Sequence, residues 1–170
     1  MNTKTKNPSL DIVGIGNAIV DVLTTIDDSF LEKLSFNKGS MTLIDENKAQ
    51  ELYEMSSNRT QRSGGSVANS LACVSQLGGK AAFIGRVKDD KLGEIFTEEI
   101  STTGTIFNTP PSAVGPSTAR CLIYVTPDAQ RTMCTYLGAS VLLELKDIDL
   151  SAVSEAKILY LEGYLWDNVA

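Results

Sequence analysis

The run Ser63-Gly64-Gly65-Ser66-Val67-Ala68-Asn69 holds the densest set of groups suited to a polar ligand. Its two glycines let a ligand approach the backbone, and the helix start that follows leaves N–H groups without intrahelical partners. Asn69 lies one turn in. The set suits binding of hydroxyls or an oxyanion, although a glycine pair before a helix also serves as a plain connection. Asp21 stands between Val20 and Val22, just past a first apolar strand. Open α/β sheets bind ligands at the carboxyl ends of their strands. A carboxylate there can accept hydrogen bonds from two neighbouring sugar hydroxyls, and a solvated or turn-capping Asp is the other reading. Gly14-Ile15-Gly16-Asn17-Ala18-Ile19 invites a dinucleotide-binding reading. Ile19 stands where the third glycine belongs, however, and a strand follows where a helix N-terminus is needed. Arg131, beside a predicted hairpin turn, suits a phosphate contact, or it is simply solvated.

What the composition lacks narrows the chemistry. The chain has 170 residues and no histidine, which removes the Ser-His-Asp and Cys-His nucleophile systems and every His-ligated metal. Catalysis would have to rest on carboxylates, Arg/Lys, hydroxyls or backbone dipoles. Cys73, Cys121 and Cys134 are widely spaced and form no C-x-x-C pair. Neither a zinc site nor a disulfide framework is expected, no metal ligands are assigned, and a reducing cytoplasm is the natural compartment. Fifteen Lys+Arg against 21 Asp+Glu give a net charge of −6, which argues against a nonspecific nucleic-acid or anionic-membrane surface. Residues 1–10 are polar and read as a short flexible leader, neither a signal peptide nor an anchor. No later apolar run approaches the ~18 residues of a membrane span.

The elements that must position these groups alternate. Asp11 to Gly16 and Val20 to Ile26 read as strands, Asp27 or Asp28 to Leu34 as a short helix, and Met41 to Ile44 as a strand. Asp45 caps a helix carrying Ala49, Leu52, Tyr53 and Met55, and polar residues Ser56 to Arg62 lead to the glycine pair. Val67, Leu71, Val74 and Leu77 recur at helical spacing before Gly78-Gly79. Ala81 to Val87 is a strand. Leu92, Ile95, Phe96 and Ile100 lie on one face of a helix over Asp89 to Thr103. Beyond Pro110, Pro111 and Pro116, two β-rich runs, Thr118 to Thr126 and Arg131 to Leu137, flank Pro127-Asp128-Ala129-Gln130 as a hairpin. Pairing Pro127 with Gln130 puts Arg131 on one face with Arg120. Leu142 to Ala156 reads as mixed helix and turn, and Lys157 to Leu161 as a final buried strand. Residues 162–170 then look like the opening of another helix. The pattern predicts a layered α/β fold with a mainly parallel sheet, left incomplete where a βαβ unit would continue.

Five landmarks in order carry a resemblance over essentially the whole chain. They are V-G-I-G-N-A-I-V-D from Val13, G-G-S-V-A-N-S from Gly64, F-I-G-R-V-K-D-D-K-L-G from Phe83, R-T-M-C-T-Y-L-G-A-S from Arg131, and Y-L-E-G-Y from Tyr160. Together they resemble the N-terminal half of the ribokinase-like (PfkB-type) sugar and nucleoside kinases. The resemblance implies an α/β/α domain over residues 11–170 with a small β lid drawn from about 20–26, 41–44 and 118–137. It implies that Asp21 binds the acceptor's hydroxyls, that Gly64 and Gly65 form the hinge and floor of that site, and that Asn17 and Asn69 complete its polar contacts. Arg131 would lie near the transferred phosphate, with Met133 and Leu137 as apolar lid contacts.

Ser66, Val67 and Ala68 stand between Gly65 and Asn69 where ribokinases carry K-G-A. This makes the chain look more like an adenosine kinase and favours a nucleoside acceptor, with a sugar kinase as the alternative. The family's D-T-x-G-A-G-D run, holding the catalytic Asp and anion hole, and its N-x-x-E run do not occur here. The resemblance therefore implies ATP and Mg²⁺ for the complete enzyme, with their sites mostly outside these residues. No catalytic residue is expected in this chain, which should be inactive alone. A truncated noncatalytic binding module, homodimeric through the lid, is the reading from another class.

Overall fold

The computed structural model describes residues 9–166. Among these residues nine strands form two sheets. β1 (Leu10–Ile15), β5 (Ala81–Ile84), β6 (Ile106–Phe107) and β9 (Ala156–Leu161) make a four-stranded sheet in the order β6-β5-β1-β9, parallel throughout. β2 (Ile19–Thr25), β3 (Met41–Leu43), β4 (Thr60–Gly64), β7 (Ala119–Val125) and β8 (Arg131–Tyr136) make a mixed sheet in the order β3-β8-β7-β2-β4. Leu10, the last residue of the predicted leader, is in fact buried and paired with Ala156. The preceding residues 1–8 lie outside the described residues, as do residues 167–170 of the expected final helix.

Helices cover the parallel sheet on both faces. On one side lie α3 (Ser66–Gln76) and α4 (Lys91–Thr102). Leu92, Phe96 and Ile100 of α4 are all buried, as their spacing predicts. The rings of Phe83, Phe96 and Phe107 stand 5.2–5.8 Å apart, centroid to centroid, and seal the junction of α4 with β5 and β6. On the other side α5 (Leu150–Glu155) brings Ala152 and Val153 against Leu10, Val13, Ala82 and Ile84. The mixed sheet lays Val20, Val22, Leu122, Tyr124 and Cys134 into the same core as Leu31 of α1 (Asp28–Leu34) and Leu52 of α2 (Glu46–Met55). Asp45 caps α2 as the sequence predicts, accepting from the Lys48 N–H, and Asp90, one residue inside the expected start, caps α4 by accepting from the Gly93 N–H.

Three expectations change. β4 forms where only a polar connection is predicted, because Thr60 to Gly64 pair antiparallel with β2. The β7–β8 register is shifted by one residue: Val125 pairs with Arg131, and Arg120 pairs with Tyr136. Ala129 takes φ 64° and its N–H bonds the Thr126 carbonyl, so the loop has three residues instead of two. Since side chains alternate across a strand, Arg131 shares a face with Cys121, Ile123, Met133 and Thr135, and Arg120 lies on the opposite face. Finally, β9 is an edge strand among the described residues, with Ile158 and Leu159 exposed instead of buried. α5 packs beside it, and among the described residues no strand lies beyond it.

Candidate functional site

At the carboxyl end of the parallel sheet, β1 ends at Ile15 and the chain crosses through Gly16-Asn17-Ala18 into β2 of the other sheet. β9 ends beside it, and Glu162 follows. Glu162 is only 5% exposed, yet it is fully engaged. One carboxylate oxygen accepts from the Asn17 N–H and the other from the Ser66 hydroxyl at the first turn of α3. A carboxylate at a helix N-terminus is favoured by the exposed N–H dipoles there. Glu162 thus ties together the β1–β2 crossover, α3 and the end of β9.

The groups it holds line a cavity of about 420 Å³. Its polar end is Asn17, Ser66 and Glu162, and its apolar walls include Ile19, Met41, Leu43 and Leu137. Asn17 is 3% exposed, and among the described residues its side-chain Oδ1 has no hydrogen-bond partner. A buried acceptor left unpaired costs about 1–3 kcal/mol, so Oδ1 is a ready partner for a ligand hydroxyl or amino group.

Asp21 lies two residues beyond Ile19, on the same face of β2. It stands opposite Arg62 of β4 and Cys121 of β7. No hydrogen bond from the described residues reaches its carboxylate, and burial pushes its pKa up to about 6. A Cβ on Gly64 would fall 2.4 Å from the Asp21 carboxyl carbon, so glycine there is what lets the carboxylate keep this position. Gly65, at φ 104°, lets the chain turn into α3, and a Cβ there would lie 2.3 Å from the Asn17 carbonyl oxygen.

The predicted residues therefore divide. Asn17 and Leu137 line the cavity. Asp21, Gly64 and Gly65 flank it, and half-buried Met133 continues its wall along β8, paired with Met41. Asn69 is exposed on the first turn of α3 and does not line the cavity. Arg131 is exposed at the far end of β8, four residues before Thr135, or roughly 13 Å of extended strand. Glu162, the residue that organises the polar end, is absent from the predicted set. Its sequence signal was an acid directly after an apolar strand and before Gly163. Among the described residues no group of three or more His, Cys, Asp or Glu could hold a metal ion. Among the same residues no helix is long and apolar enough to cross a membrane.

A parallel sheet covered by helices, a second sheet beside its carboxyl end, and a polar-floored apolar cleft between them define an α/β domain of the ribokinase-like type. Residues 39–170 match the pfkB family of carbohydrate kinases, and the chain belongs to that family. It is 48% identical to the adenosine kinase of Sinorhizobium meliloti, with a TM-score of 0.83 over 93% of this chain and 48% of that one. It is 44% identical to a probable sugar kinase of Rhizobium etli CFN 42, with a TM-score of 0.85 over 94% of this chain and 48% of that one. Adenosine kinase 2 of Arabidopsis thaliana is 25% identical over 162 residues, covering 90% of this chain and 46% of its own length. The fructokinase of Solanum tuberosum is 29% identical over 99 residues, which are 57% of this chain and 31% of its own. The chain spans about half the length of the adenosine kinase relatives it matches.

Proposed function

We propose that this chain is the acceptor-binding half of an ATP-dependent kinase that phosphorylates a nucleoside hydroxyl, with adenosine as the acceptor and AMP as the product. The observation that carries the reading is the pairing of Asp21, a half-buried carboxylate with no hydrogen-bond partner among the described residues, with the apolar cavity beside it. Asp21 accepts hydrogen bonds from two adjacent ribose hydroxyls, and Asn17 Oδ1 accepts one more. The base lies against Ile19, Leu43 and Leu137, where a flat apolar surface removes it from water. The second sheet serves as the lid. Met133 and Leu137 close over the acceptor, Asn69 adds a polar contact, and closure brings Arg131 from the hairpin tip to the transferred phosphate while excluding water.

ATP with Mg²⁺ supplies the phosphoryl group and its charge neutralisation in the complete enzyme. The residues here hold neither, nor the carboxylate that takes the hydroxyl proton, so the isolated chain turns nothing over. β3, the lid's unpaired outer edge, is where a second copy would pair. Incubating the purified chain with ATP, Mg²⁺ and adenosine tests the division of labour. No AMP is expected, and catalytic formation of AMP would overturn it. A sugar acceptor is the second reading, supported by the fructokinase and probable sugar kinase relatives.

A further inference from the structure

A second cavity, of about 380 Å³, opens on the reverse face of the mixed sheet, between α2 and the first turn of α4. Its walls include Glu46, Gln50, Tyr53, Asp90, Ser117 and Arg120. Arg120 and Cys121 are consecutive in β7 and so face opposite ways. Cys121 pairs with Asp21 and Thr135 on the acceptor side, while Arg120 pairs with Tyr136 on the reverse side. The two cavities are back to back across one strand.

Arg120 is 4% exposed. Its Nη1 donates to Gln50 Oε1 at 3.0 Å, but its Nε finds no acceptor. Among the described residues it forms no ion pair. The Tyr53 and Tyr136 rings, 5.4 and 5.9 Å from the guanidinium, shelter the charge, and Glu46 and Asp90 act on it through space without forming an ion pair. The two acids of the cavity are already committed. Glu46 accepts from the Ser117 N–H, and both Asp90 oxygens accept from Gly93 and Thr118. A buried guanidinium is ordinarily paired and hydrogen-bonded, because leaving it unpaired costs several kcal/mol. Its planar fork matches a carboxylate. Lys91 also lines the cavity but is ion-paired to Glu94, so Glu46 and Asp90 disfavour a ligand with more than one negative charge. Tyr53 and Leu92 offer apolar surface to the rest of the molecule.

We propose that this cavity binds a small organic monocarboxylate, its carboxylate seated on Arg120 and its apolar body against Tyr53 and Leu92. Sodium benzoate, acetate and inorganic phosphate, titrated calorimetrically into the purified protein at constant ionic strength, test it. Benzoate should saturate one site, acetate should bind more weakly, and Arg120→Gln should abolish both. Glu46→Gln, which removes a neighbouring negative charge, should tighten benzoate binding by roughly fivefold. Asp21→Asn, in the other cavity, should leave it unchanged. Absence of saturation, equal binding by Arg120→Gln, or loss of binding in Asp21→Asn overturns the assignment. Phosphate binding more tightly than benzoate overturns the carboxylate. Should Arg120→Gln fail to fold, Glu46→Gln decides: unchanged benzoate affinity refutes the site.

Discussion

The carboxyl carbon of Asp21 occupies the position that a side chain on Gly64 would need, 2.4 Å from where its Cβ would stand. The acid of β2 and the last residue of β4 are therefore one device, and changing either disturbs the other. Gly64→Ala should push Asp21 aside, weaken acceptor binding by roughly tenfold or more, and destabilise the fold by about 1–3 kcal/mol. Urea unfolding with a ligand titration checks both. Retention of full affinity would mean that Asp21 does not work from this position.

Burial raises Asp21 from 3.8 in the unfolded chain to about 6 in the folded one. Between those values the folded state holds the proton that the unfolded state has released. Stability is thus greatest below pH 3.8, as far as this group is concerned, and is lost as pH rises through 6. Asp21→Asn should stabilise the free protein by about 1–3 kcal/mol at pH 7.5, with the gain vanishing near pH 4. Acceptor affinity in the wild type should fall as pH drops through 6, where the carboxylate protonates. Melting curves across pH report the first effect. A gain independent of pH would contradict it.

Glu162 satisfies the Asn17 N–H and the Ser66 hydroxyl together. In Glu162→Ala the buried Asn17 N–H and the part-buried Ser66 hydroxyl lose their acceptor, which should cost about 1–3 kcal/mol, most of it at Asn17. Glu162→Gln keeps one carbonyl acceptor and should recover part of the loss. A Glu162→Ala protein as stable as wild type in urea would show that the tether contributes nothing.

Ala129 sits at φ 64° in the β7–β8 loop, a region that strains residues carrying a Cβ. Ala129→Gly should raise stability by about 0.5–1 kcal/mol, the relief of strain being partly offset by the freer unfolded chain. A lowered melting temperature would argue against this loop geometry.

The same alanine marks a limit on what the sequence discloses. A glycine or asparagine there would have announced a three-residue loop, whereas alanine carries no such signal and the inferred register slipped by one. β4 was illegible for a related reason. Thr60-Gln61-Arg62-Ser63-Gly64 has no apolar residue to show a period, and its strand character comes from pairing with β2. The helices were legible because their apolar residues recur on one face, and because Asp45 caps α2. Of the site, the strand-end acid and the glycine pair could be read directly. Glu162 could not, since its role depends on β9 lying beside β1, a juxtaposition across 145 residues.

The most direct test of the account is a calorimetric titration of adenosine into the purified chain and its Asp21→Asn variant at pH 7.5. One saturable site in the wild type, weakened roughly tenfold or more in the variant, is the predicted result. Equal affinity in the two proteins, or no binding by the wild type, would contradict the assignment of this cleft as the acceptor site.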